Sequence, residues 1–165
     1  MNQNFEAILE ELKRHDVSVE TSVEKSLIGS FVGLRNGVVA MVVYAPPDQD
    51  YLSLCLKLPV VAPAERRHEI AEFLHRANGR LGNGQFELDY DDGSIRFRVS
   101  ARVPNDSAFV KDLFNLWLVE ASLTVDAHVP TLMRVAFGNL SAASAIEQAE
   151  ALLNDLHNGG KQAED

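Results

Sequence analysis

The chain has 165 residues, of which 46% are hydrophobic and 24% are charged. This length and composition are typical of one globular domain with its own core, and they exclude the disordered and fibrous classes. The net charge of −9 repels a phosphate backbone over most of the surface, so we expect no nucleic-acid partner.

The cysteine content and the N-terminal residues indicate the cellular compartment in which the protein is expected. The single cysteine, Cys55, excludes an internal disulfide framework and a cysteine-built zinc site, which fits a reducing compartment. The N-terminal residues lack the basic start and the continuous apolar stretch of a signal peptide. Charged residues interrupt the apolar-rich stretch 109–137, which argues against a membrane span. We therefore expect a cytoplasmic protein with no membrane partner.

The first elements along the chain are a helix and a hairpin. Residues 3–14 place apolar side chains at helical spacing with charged residues between them. Two apolar runs follow at 27–35 and 38–45, separated by Asn36 and Gly37. This dipeptide favours a tight turn with positive φ angles, so the two runs are predicted to form a hairpin.

A third strand and a second helix come next. Residues 51–58 alternate leucines with smaller or polar residues, and the strand is predicted to end at Pro59, which cannot donate a ladder hydrogen bond. From Pro63 the apolar positions recur at helical spacing as far as Asn78. This pattern predicts a helix that ends at Gly79.

The segment 85–103 is predicted to form a second hairpin around a two-residue Asp92-Gly93 turn. This turn fixes a register that can be checked. One face would pair Phe86 with Val99, Leu88 with Phe97 and Tyr90 with Ile95, and the other would pair Glu87 with Arg98 and Asp89 with Arg96.

The C-terminal part of the chain is predicted to be helical. Asp106 or Ser107 can cap a helix that is apolar on more than one side. Pro130 is predicted to break or kink this segment before Gly138. Ser141 then caps a last helix.

Several residue groups invite a chemical interpretation. His68, Glu72 and His75 could share a helix face and hold a metal, but a hydrated polar face is the interpretation that we prefer, so we assign no metal. The glycine loop from Gly79 to Gly84 lacks the lysine and the following helix of a phosphate cradle. A small metal- or ligand-binding enzyme that uses either group is the alternative to a binding protein.

A basic stripe is predicted on the last strand. Arg96, Arg98 and Arg102 recur at strand spacing and could grip an acidic segment or a phosphate. The predicted register pairs the first two with Asp89 and Glu87, so most of the stripe would be neutralised locally.

The strand 38–44 is apolar on both of its faces, which is unusual for a sheet covered on one side. The hairpin would place Val32, Leu34, Val39, Met41 and Val43 on one face and Phe31, Val38, Ala40, Val42 and Tyr44 on the other. If helices cover the first set, the second marks a contact surface for a partner or a second copy. The equal alternative is that one of the chain's own helices crosses behind it. We assign Phe31, Val38, Val42, Tyr44 and Trp117 to this candidate partner or dimer surface.

Two stretches carry a resemblance to a known family. Residues 73–103 contain Asn78, the glycine loop, Gly84–Asp89 and Asp92–Arg98. The second stretch comprises Asp126, Pro130, Leu132, Met133, Val135 and residues 141–146. The sequence resembles the YbjN-type bacterial domain in these motifs, which together cover about half of the chain. Its element order is also similar to that of this domain.

The resemblance implies a fold like that of type III secretion chaperones, small acidic proteins, usually homodimers, that bind extended segments of clients. It also implies a regulatory role in sensory transduction and brings no catalytic residues. We therefore predict a single α+β domain over residues 1–157 and a disordered tail over 158–165, with an antiparallel five-stranded sheet in the order α-β-β-β-α-β-β-α(-α). We expect a non-enzymatic, chaperone-like or regulatory module without cofactor, a homodimer that binds a segment of an unidentified protein.

Overall fold

The computed structural model describes residues 3–46 and 49–161, with the side chains as far as Asn154. Within these residues, four α-helices pack with one sheet. The helices are α1 (Gln3–Arg14), α2 (Arg67–Asn78), α3 (Ser107–Phe137) and α4 (Ala142–Lys161), and a 3-10 turn over Ala64–Arg66 precedes α2. The strands are β1 (Glu20–Ser22), β2 (Leu27–Leu34), β3 (Gly37–Tyr44), β4 (Tyr51–Val61), β5 (Gln85–Leu88) and β6 (Ser94–Arg102).

The sheet has six antiparallel strands in the order β1-β2-β3-β4-β6-β5, so the predicted number of five strands is wrong. The additional strand is β1, which pairs with the first three residues of β2. Its three residues, Glu20, Thr21 and Ser22, are too short and too polar to produce a period-two apolar pattern. The α+β class and the rest of the element order are confirmed.

The first hairpin has the predicted faces with a different turn. Leu34 pairs with Gly37, so the two turn residues are Arg35 and Asn36, and Gly37 takes the positive φ of +146° as the first residue of β3. A turn centred on Asn36-Gly37 would shift the strand pairing by two residues. Because side chains alternate with a period of two, this shift leaves both faces unchanged.

The second hairpin differs from the prediction in the same way. Phe86 pairs with Phe97 and Glu87 with Arg96, which is again a shift of two residues. The predicted pairs of Tyr90 with Ile95 and of Asp89 with Arg96 are wrong, because β5 ends at Leu88. Aspartate side chains stabilise the longer loop between β5 and β6. Asp89 accepts a hydrogen bond from the amide of Asp91 at 2.9 Å, and Asp92 accepts one from the amide of Ser94 at 2.7 Å.

Strand β4 does not end at Pro59 as predicted. It continues to Val61, and its pairing with β6 is irregular between Lys57 and Val61. The proline lies in this irregular section, after the last residue of β4 that pairs with β3, so its missing donor removes no regular ladder bond.

The helices form one layer against one face of the sheet. Helix α3 packs against β2, β4 and β6, and the other helices pack around it, with α2 also covering β5. Apolar side chains from this face, such as Met41, Leu54 and Phe97, are buried in the same core cluster as Phe114 and Leu132. None of the helices of the described residues is long and apolar enough to cross a membrane.

Pro130 was predicted to break or kink its segment, and helix α3 runs through the proline without a break. A proline at this position cannot donate to the carbonyl of Asp126, four residues earlier. The side-chain amide of Asn36, at the tip of the first hairpin, donates to that carbonyl at 3.1 Å. The Asp126 carboxylate in turn accepts from the Asn36 backbone amide at 2.8 Å. The hairpin tip thus supplies the hydrogen bond that the proline removes.

This exchange predicts a measurable coupling between two distant positions. Asn36→Ala should lower the free energy of unfolding by about 1 kcal/mol, since the Asp126 carbonyl loses its donor. In a Pro130→Ala background the helix amide of residue 130 becomes the donor, so the same change should cost about half as much or less. Urea unfolding of the four proteins in this cycle measures the coupling. Additive effects would contradict the assigned role of Asn36.

Helix α4 runs to Lys161. Residues 158–161 are therefore helical, whereas the tail was predicted to be disordered from residue 158. Residues 162–165 lie outside the described residues. At its other end, α4 begins one residue after Ser141, whose hydroxyl accepts from the amide of Ser144 at 3.3 Å, as the predicted cap requires.

Candidate functional site

The helices of the described residues pack on one side of the sheet, and we call the opposite side the open face. Four predicted surface residues lie on it: Phe31 is 74% exposed, Val38 57%, and Val42 and Tyr44 37% each. They form a contiguous group on β2 and β3, which we call the apolar half. An exposed cluster of this kind is unusual on a soluble monomer and typical of a contact surface.

Strand alternation explains why these side chains are exposed. On β3, Val39, Met41 and Val43 point into the core, so Val38, Val42 and Tyr44 must point away from it. On β2, Phe31 stands between glycines at positions 29 and 33 on the same face. Because glycines have no side chain, they leave both sides of the Phe31 ring open.

Trp117 does not belong to this surface, and its assignment to the partner or dimer surface is corrected. The side chain is only 4% exposed and lies in the core cluster. Trp117 is on the side of α3 that faces the sheet, near Phe97 and Val99. Burial of the largest apolar side chain in the core is the common outcome for a helix that contacts other elements on several sides.

Two shallow depressions extend along the open face and meet at Val42. The first has a volume of about 460 Å³ and lies beside β1, with Phe31 and Ala40 in its wall. The second has a volume of about 470 Å³ and includes Tyr44, Cys55 and Arg98. Both are lined by Val42, so they lie side by side on the open face, and we call the two together the trough.

Cys55 lies at the middle of this trough. Its neighbours across the ladder are Val42 on β3 and Arg98 on β6. Burial raises the pKa of the Cys55 thiol, and the charges of Arg96 and Arg98 offset this effect in part. The thiol is therefore mostly protonated at neutral pH.

The other side of the trough is cationic. Lys57, Arg96, Arg98 and Arg102 follow one another on the open face of β4 and β6, and we call them the basic half. Among the described side chains, Arg96 and Arg98 share one carboxylate, Glu87, at 2.5 and 2.7 Å. Asp89, the predicted partner of Arg96, is not its neighbour in the ladder.

The shared carboxylate is strongly held. Partial burial alone would raise the pKa of Glu87, but hydrogen bonds from Arg96, Gln85 and Arg98 outweigh burial and lower the pKa. Glu87 is therefore ionised at neutral pH and neutralises one of the two arginines. Lys57 was missed as a site residue, although it shares the strand alternation of Cys55 and could have been found by that signal.

The features that suggested an enzyme do not come together in a site. In the described part of the chain, no three His, Cys, Asp or Glu side chains are grouped so that they could hold a metal ion. Glu72 instead pairs with Arg76 at 2.8 Å. The glycine loop is held by Asn78, whose side chain accepts from the Phe86 amide at 2.7 Å and donates to its carbonyl at 2.9 Å.

Comparison with known proteins places the chain in a family. The family YbjN, described as "putative bacterial sensory transduction regulator", matches residues 4–132, more than three quarters of the chain. No curated protein matches the sequence. The chain therefore belongs to the YbjN family, as the resemblance indicated.

Proposed function

We propose that this YbjN-family protein is a non-enzymatic binding module, chaperone-like or regulatory, that works in the cytoplasm as a homodimer and binds a segment of a partner protein. The observation that carries the proposal is the uncovered apolar half of the sheet, with Phe31 at its centre. Removing such an apolar surface from water lowers the free energy, so its burial by a partner favours binding. The family description, a regulator, supports a binding role over a catalytic one.

The proposed partner surface and the proposed dimer surface are different. Exposed apolar side chains also follow α3 at Phe109, Leu116 and Val119. Their spacing of seven and three residues is that of a helix–helix seam, which a second copy of the same helix can complete. We assign the homodimer contact to this seam and the partner contact to the open face. A chaperone-like mode of action, with the dimer presenting two binding faces, is part of the proposal.

Light scattering coupled to size exclusion tests this assignment. The wild-type protein should have twice the 18.2 kDa mass of the chain. Leu116→Glu should be a monomer, because it places a charge in the seam, whereas Phe31→Asp should remain a dimer. Both side chains are exposed, so both variants should fold, as circular dichroism will check. A wild-type monomer at micromolar concentration, or a monomer produced by Phe31→Asp alone, would overturn the assignment.

A further inference from the structure

Rows of paired residues cross the strands of the open face and connect the apolar half with the basic half. Phe31 lies in line with Ala40, Lys57 and Arg96 through successive ladder pairs. Val42 lies in line with Cys55 and Arg98 in the same way. An occupant that crosses the strands therefore meets apolar side chains first and cations next.

The basic half has an excess of positive charge in a chain whose net charge is −9. Glu87 forms ion pairs with both Arg96 and Arg98. Asp89 and Asp92 lie close enough to interact electrostatically with Arg96 and Lys57, so four cations face three carboxylates. Lys57 and Arg102 have no ion-pair partner among the described side chains. This cluster is accordingly a local exception to the acidic surface. Lys57, Arg96 and Arg98 line the same depression as Val42 and Tyr44 of the apolar half.

Arg98 also has an unused donor. Its Nε is buried and has no hydrogen-bond partner in the described structure, while one of its terminal nitrogens donates to Glu87. An occupant of the open face can reach the exposed part of the Arg98 side chain, which is 35% exposed, and not the buried Nε. A carboxylate is the acceptor that a guanidinium binds best. The charge excess, together with the exposed part of Arg98, indicates that an anionic group completes the basic half.

We infer that the open face binds a partner segment in which large apolar side chains are followed by carboxylates. This inference rests on the proposed function and specifies the chemistry of its partner. Phe31 and Arg96 are three strand spacings apart, about 14 Å, a distance that about four residues of an extended chain cover. The segment thus places an apolar residue on Phe31 and an Asp or Glu about four positions away over Arg96 and Arg98.

Overall charge favours a short acidic peptide over a nucleic acid as the occupant. A polyanion extends beyond the basic half and meets the acidic remainder of the surface, whereas one or two carboxylates do not. The apolar half also offers Val38 and Val42, which suit aliphatic or aromatic side chains better than phosphates.

Selection from random peptides displayed on phage tests the inference with the full-length protein. Peptides recovered on the wild-type protein should be enriched in large apolar residues with Asp or Glu about four positions away. Lys57→Gln/Arg98→Gln should recover peptides that keep the apolar residues and lose the acidic enrichment. This variant leaves Arg96 paired with Glu87, so it should fold.

The matched control is Lys13→Gln/Arg76→Gln, which removes the same charge from exposed positions on α1 and α2. It should select the same peptides as the wild type. A synthetic copy of the most enriched peptide should bind about tenfold more tightly than its Gln-substituted copy at low salt, and the difference should shrink at high salt. Bound peptide should also slow the alkylation of Cys55 by iodoacetamide, because the thiol lies under the segment.

Each failure has a distinct signature. In one case, the wild-type protein recovers peptides that lack acidic enrichment, while Phe31→Asp recovers none of them. That result would overturn this inference and leave the proposed function standing. Recovery that Phe31→Asp does not reduce would overturn both. If a single-stranded oligonucleotide displaces the peptide, the basic half binds nucleic acid and the inference is wrong. If Lys57→Gln/Arg98→Gln changes the mass of the dimer, the basic half contacts a second copy and the inference is also wrong.

Discussion

Val42→Asp and Val43→Asp are expected to have opposite consequences, although they change adjacent residues of β3. Val43 is fully buried and pairs with Ile28 and Leu54, so an aspartate there places a carboxylate without a partner in the core. Such a change should cost more than about 4 kcal/mol and unfold the protein. Val42 is on the open face, and Val42→Asp should cost about 1 kcal/mol or less, mainly through the lower strand propensity of aspartate.

The same pair separates stability from binding. Urea unfolding should give a folded Val42→Asp protein with a midpoint close to that of the wild type. That protein should nevertheless bind a selected peptide at least about tenfold more weakly, because a charge occupies the centre of the trough. If Val42→Asp instead unfolds like Val43→Asp, the open face is covered in the native protein, and the proposed function fails.

The faces of both hairpins could be predicted from the sequence, but their registers could not. In each case the predicted turn dipeptide contains the glycine with positive φ, Gly37 or Gly93, while the pairing shifts by two residues. A period-two pattern is insensitive to a shift of two, so it determines which side chains share a face and leaves the pairs open. The incorrect registers therefore left the predicted members of the apolar half unchanged but gave the wrong ion pairs.

This difference explains why the basic half was undervalued. The predicted register gave Arg96 and Arg98 one carboxylate each, which left the stripe nearly neutral. In the structure Asp89 lies beyond the end of β5 and interacts with Arg96 only electrostatically, while Glu87 forms ion pairs with both arginines. A displacement of two residues in a hairpin thus leaves two arginines with one ion-paired carboxylate where two were predicted.

Features that depend on contacts between distant segments were beyond sequence reasoning. A helical proline predicts a break, because the local chain offers no donor for the freed carbonyl. The donor comes from Asn36, ninety positions away in the chain from Asp126. Trp117 was misassigned for the same reason, since its periodic pattern shows a largely apolar helix and not which side the sheet covers.

Gly84→Ala is expected to be strongly destabilising, whereas Gly82→Ala, two residues earlier in the same loop, should be nearly neutral. Gly84 has a φ of +74°, and a Cβ there would lie 2.8 Å from Phe97 Cε1 and closer still to Cζ. The Phe97 ring cannot move away easily, because it is buried and packs against Phe86 at a centroid distance of 5.0 Å. Left-handed strain and overpacking together should cost about 2–5 kcal/mol.

Gly82 provides the matched comparison, since an added Cβ meets no atom within 4 Å and its φ is not in the left-handed region. Gly82→Ala should change the free energy of unfolding by about 0.5 kcal/mol or less. Thermal and urea unfolding of the two variants measure the difference. Equal stability of the two variants would show that the loop does not hold β5 against Phe97.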